Sequence, residues 1–219
     1  MINYHPSLKF ELNKEMDYWT AKEFVEPIIK RHPDLASLKQ TQKELWPEKI
    51  KEYVDSYYTD HDQEIKAVLE KTQTKWDEIY KEFYQAVDRL FDRHPWPKGE
   101  YLGFASIFDC NPRFLGNKTF QFFYNHQEGT IYVAAHEMLH FMFFDYAFKH
   151  FPKLTEDDLW DLSEIFNVII LSRPEFVAIT GNSSPRAYRD HLKDIQKYTN
   201  LWKNSKDVKG LIKSALDLQ

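Results

Sequence analysis

From Pro47 onward, apolar residues return every three, four or seven positions. Ile65, Val68, Leu69, Trp76, Ile79, Phe83, Val87 and Leu90 stand in that rhythm, with Lys and Glu between them. The period matches one face of an α-helix. It predicts two long amphipathic helices, about 48–58 and 62–93. The stretch His94-Pro95-Trp96-Pro97-Lys98-Gly99 ends them, because two prolines and a glycine break a helix. Before this region the pattern is mixed. Tyr4 to Leu12 reads as extended, and Tyr18 to Ile29 as helical with interruptions at Pro27 and Pro33.

After Gly99 the character changes. YLGFASIF at 101–108 and KTFQFFYN at 118–125 are aromatic and apolar, and each is bounded by turn residues, so both are expected to be strands. Thr130 can cap a helix over residues 131–149. Thr155-Glu156-Asp157-Asp158 resembles a capping box and should open a helix to about Leu171, before Pro174. Ser184-Pro185 places a cap before a proline and predicts a helix over about 185–203, with a short C-terminal helix after it. The expected fold is α+β and mainly α. Residues 1–97 form a helical N-terminal region, and residues 98–219 carry the small sheet and the remaining helices.

Composition narrows the function classes. The chain has 219 residues and a formal charge of −5. Residues 1–97 hold 15 basic and 19 acidic side chains, and residues 98–219 hold 14 and 15. Neither half has the basic excess of a nucleic-acid or anionic-membrane binder. Cys110 is the one cysteine, so no intrachain disulfide can form. No apolar run reaches the roughly 18–20 residues of a membrane span, and MINYHPSLKFELNKE lacks the apolar core of a signal peptide. A soluble cytoplasmic protein is expected.

The chemistry is concentrated at His136-Glu137-Met138-Leu139-His140. Two histidines at i and i+4 lie one turn apart on a single helix face, and both imidazoles can reach one metal ion. Glu137 beside them is placed to take a proton from water. The flanks, Ile131 to Ala135 and Phe141 to Phe144, are apolar all round, so this helix should be buried. Two His and a Glu at its centre would be costly there without partners. A zinc ion supplies them better than ordinary core hydrogen bonds do.

Such a site needs a third protein ligand and one open position. The position six residues after His140 is Tyr146, which excludes the three-histidine arrangement. His150 falls at the helix end and would require a sharp reversal. Glu164 is the best choice, a carboxylate in the nearly all-apolar stretch LWDLSEIFNVIIL at 159–171. The 24 positions from His140 leave room for one helix to end, a turn at Pro152, and two turns of the next helix. A salt bridge from Glu164 to Arg173 or Arg186 is the alternative.

HEMLH at 136–140 with SEIFN at 163–167 resembles the gluzincin branch of the zinc metallopeptidases, the thermolysin-like and M1-aminopeptidase-like class. The resemblance covers roughly residues 100–172. It implies a zincin-like core in which His136, His140 and Glu164 hold Zn²⁺ and Glu137 is the general base. It also implies that the strand just upstream, here 118–125, forms an edge that binds an extended peptide substrate. An oxyanion donor is expected from the C-terminal part, where Tyr188 and His191 share a helix face; Tyr146 is a weaker candidate. The class often carries an acid four positions after the ligand Glu. Here Val168 stands there, leaving Asn167 or Asp145 to orient the site. No GxMEN-like stretch is present, which argues against an ordinary aminopeptidase.

Two competing readings remain at the level of sequence. One is a regulatory protein that cleaves a single specific partner. The other is a non-catalytic helical binding protein with a structural zinc, its fourth ligand drawn from Asp145, Asp161 or His150. Cys110 reads as a buried or turn thiol, His126 as an exposed loop residue, and Asn111-Pro112-Arg113 as a turn.

Overall fold

The computed structural model describes residues 4–182, 192–205 and 207–217. The described chain divides into two compact units, and neither is one run of sequence. The first comprises Met1–Pro6, Glu78–Gly99 and Ala134–Gln219; the second comprises Ser7–Asp77 and Glu100–Val133.

The second unit contains the sheet. It begins with strand β1 (Leu8–Leu12), then helices α1 (Lys14–Glu23) and α2 (Val25–Arg31), then two 3-10 segments at Pro33–Gln40 and Lys43–Leu45. Asn13 caps α1, its side chain accepting from the Met16 N–H. Pro27 lies inside the first turn of α2, where its missing N–H costs nothing. Strands β2 (Tyr101–Ser106), β3 (Arg113–Phe114) and β4 (Thr119–Phe123) complete a mixed sheet of order β1-β2-β4-β3. β1 and β4 flank β2 in parallel, and β3 runs antiparallel to β4. At its centre Gly103 is paired with Phe10 on one side and Phe120 on the other. A Cβ on Gly103 would meet both rings at 2.8 Å, so the two phenyl groups occupy the space a side chain would need.

Two expectations change here. Asn111-Pro112-Arg113 is not only a turn, because Arg113 begins β3. In addition, β4 is not an open edge. It lies between β2 and β3, and the N–H groups on its outer side are taken. Gln121 donates to the Pro112 carbonyl (2.9 Å) and Phe123 to the Asn111 side-chain oxygen (2.9 Å). The turn that looked like a boundary folds back and pairs the strand it precedes.

Helix α3 (Trp46–Leu90) has residues in both units. It is one helix of 45 residues, not two. No Pro or Gly lies between Pro47 and Pro95 to break it. Local pairs carry the helix past Asp60. His61 stacks on Tyr57 (4.3 Å) and meets Glu64 (3.0 Å), while Lys66 pairs with Asp62 four residues back (2.8 Å). Asp92 and Arg93 then adopt positive φ, and the two prolines follow.

The first unit is helical. α4 (Thr130–His150) enters it at Ala134, and α5 (Glu156–Leu171), α6 (Pro174–Thr180), α7 (Leu192–Asn204) and α8 (Val208–Ala215) follow. Thr155 and Asp158 form the expected capping box on α5, with Asp in the place of the usual Glu. Phe166 of α5 is the hub of the core. It packs on Phe143 of α4 (5.0 Å), Phe91 (5.9 Å) and Trp202 of α7 (5.9 Å). No helix among the described residues is long and apolar enough to cross a membrane.

Candidate metal centre

α4 holds its polar residues where the sequence suggested, in the middle of an apolar helix. Ala134, Ala135, Met138 and Leu139 have no exposed surface, and small residues at 134 and 135 permit close packing. α5 meets α4 through Phe166, whose ring packs on Phe143. Asn167 of α5 is fully buried and donates from its side-chain amide to the His136 main-chain carbonyl at 2.9 Å. This bond fixes the register of α5 against α4 and brings Glu164, nearly one turn earlier, opposite the two histidines.

Three groups converge. His136 Nε2 and His140 Nε2 are 2.9 Å apart. Glu164 Oε2 stands 3.2 Å from the first, and Glu164 Oε1 stands 3.2 Å from the second. The expected i, i+4 pair and the acid 24 positions downstream therefore meet at one point. A tetrahedral ion with bonds of about 2.0–2.2 Å sets its ligand atoms roughly 3.3–3.6 Å apart, only a few tenths of an ångström wider than the spacing here. The donor set, two imidazoles and one carboxylate, is one that zinc accepts. The residues fit the group.

Burial grades the three donors. The His140 side chain is fully buried and that of Glu164 is 5% exposed, while that of His136 is 16% exposed, so solvent reaches the cluster on the His136 side. Burial pushes the Glu164 carboxyl up. The charge of His140 and the hydrogen bonds from both rings outweigh it and hold the group below the usual carboxylate range. Glu137 is also buried. One of its carboxylate oxygens and one ring nitrogen of each histidine all lie within 4.8 Å of one another. It is beside the donors without replacing Glu164. Phe144, one turn beyond His140, stacks on that imidazole with ring centroids 6.1 Å apart and restricts its rotation. The i+4 spacing could have revealed this contact in the sequence.

Other candidates are engaged elsewhere. Asp145 pairs with His94 (2.8 Å), and His150 packs on Tyr146 (4.4 Å) near His94. Tyr146 belongs to that same cluster, and burial raises its hydroxyl pKa. Asp161 is exposed on α5. Glu164 meets the two histidines, and Arg173 is exposed beyond the end of α5. Burial pushes the Cys110 thiol up, which disfavours the thiolate that would bind a metal. His126 sits in its turn, where Nδ1 accepts from the Glu128 N–H at 3.2 Å. Tyr188, His191 and Arg186 lie outside the described residues. No family model, curated protein or solved structure matches this chain.

Proposed function

We propose that the chain is a zinc-dependent metallopeptidase with a zincin-like core, acting on a peptide or protein substrate in the cytoplasm. The observation that carries the reading is the convergence of His136, His140 and Glu164 within 3.2 Å, with a second buried carboxylate, Glu137, next to them. A structural site would not need that second acid. A hydrolase does.

Zinc would be held by Nε2 of His136, Nε2 of His140 and the Glu164 carboxylate. When bound, such an ion acidifies water and polarises a carbonyl. The chain's own residues do the rest. His136, the more exposed ligand, borders the side from which solvent and substrate approach. Glu137 takes a proton from the attacking water as the new carbon–oxygen bond forms. Its carboxyl holds that proton, then returns it to the leaving amine nitrogen as the carbon–nitrogen bond breaks. Phe144 and Asn167 keep the donors in position, one through the His140 ring and the other through the His136 backbone. Tyr188 and His191 are the proposed oxyanion donors.

The experiment is Glu137→Gln. The amide keeps the shape of the side chain and cannot accept the proton. Hydrolysis should fall by about 10²- to 10⁴-fold while zinc content stays near one ion per chain. A variant that still cleaves at the parental rate would contradict the role given to Glu137.

A further inference from the structure

We infer that the hollow bounded by α2, the 3-10 segments after it and the start of α3 binds an acidic segment of a polypeptide. The hollow has a volume of about 940 Å³ and lies within the second unit. Four cations line it, Lys30, Arg31, Lys39 and Lys43, against one carboxylate, Glu26; Arg31 is paired with Asp109, which leaves the three lysines in excess. This local excess of positive charge occurs in a chain whose net charge is −5. Three of the six lysines of α3 show the contrast. Lys49, Lys51 and Lys66 are each paired with a carboxylate of their own helix. Among the described residues Lys30, Lys39 and Lys43 form no ion pair, and the Lys43 ammonium instead stands over the Trp46 ring at 5.6 Å. Like charges gathered around one concave surface focus a positive potential there.

The chemistry of the walls selects the ligand. Planar, bidentate recognition of a compact phosphate is the work of arginine forks. The hollow has one arginine, and Asp109 already engages it through its carbonyl and, at 3.8 Å, its carboxylate. Lysines on flexible stems instead meet carboxylates spread along a chain. Pro27 and Trp46 provide apolar surface between them, suited to apolar side chains that alternate with the acids.

The test uses the full chain and a fluorescent peptide of alternating Glu and Leu, with the Gln–Leu peptide as control and pyrophosphate as competitor. The acidic peptide should bind, and its affinity should drop by about tenfold or more in the Lys39→Glu, Lys43→Glu double variant and for the Gln peptide. Raising salt from about 50 to about 300 mM should weaken it further. Equal affinity of the double variant, equal affinity of the Gln peptide, or displacement of the acidic peptide by pyrophosphate would each overturn the inference. The binding readout does not depend on hydrolysis, so its failure is distinguishable from failure of the peptidase reading.

Discussion

Two buried carboxylates, one in each unit, meet opposite surroundings. Asp17, fully buried on α1, is enclosed by donors. It accepts from the Tyr58 hydroxyl (2.8 Å), the Ser106 hydroxyl (2.5 Å), the Gln121 amide (2.9 Å) and the Ile107 N–H (3.2 Å). Glu164 faces two imidazole nitrogens that crowd each other as closely as they crowd the acid. Burial raises Asp17 to about 6 against the pull of its four donors, whereas the histidines drive Glu164 the other way. The first arrangement is complete as it stands: each acceptor position has a proton pointing at it, and the acid ties α1 to the sheet and α3. The second brings two imidazoles and a carboxylate to one point, a set that a bound cation would share. Burial alone does not distinguish the two acids; the kind of atom facing each does.

Substitutions sharpen the contrast. The largest effect is expected from His140→Ala, which removes a fully buried donor. Bound zinc should fall to background by elemental analysis, and hydrolysis should vanish with it. Asp17→Ala should leave zinc stoichiometry intact and destabilise the fold by about 3–4 kcal/mol, because several buried donors lose their acceptor together. Chemical denaturation measures that loss. If Asp17→Ala removed zinc, the division between the two acids would be wrong.

Titration gives the next effect. The Asp17 carboxyl ionises near 6 when folded and near 3.8 when unfolded. Between those values the folded chain keeps a proton that the unfolded chain has lost. The Asp17 contribution is therefore full below about pH 4 and is lost as pH rises to about 6, roughly 3 kcal/mol in all. Asp17→Asn should flatten that slope in a pH series of denaturation curves. Glu164 has the opposite sign, and its contribution is lost only on acidification below the ordinary carboxylate range. The smallest effect is Asn167→Ala, expected to cost about 1 kcal/mol through the lost bond to the His136 carbonyl. It should also weaken zinc binding by about tenfold, measured by chelator competition.

The legible and illegible parts of this molecule differ for physical reasons. The cluster could be read because its requirement is local: an i, i+4 pair on one helix, and an acid near the middle of the largely apolar run that begins at Leu159. The capping box at Thr155 and the aromatic strands 101–106 and 119–123 are likewise local patterns. The continuity of α3 across Asp60 was not legible because the apolar period is interrupted between Tyr58 and Ile65, although no Pro or Gly there breaks the helix. The pairing of β3 with β4 depends on Asn111 and Pro112 folding back, which two strand residues cannot announce. Asp17 was missed altogether. In sequence it is one more acid in the first turn of a helix, a place where acids are ordinarily solvated. Only the tertiary approach of Tyr58, Ser106 and Gln121 buries it.

The most direct measurement is a crystal of the full chain grown with zinc, with anomalous scattering recorded on both sides of the zinc edge. One strong peak within about 2.0–2.2 Å of His136 Nε2, His140 Nε2 and a Glu164 oxygen is the predicted result. A peak elsewhere, or none while the three side chains hold the same positions, would contradict it.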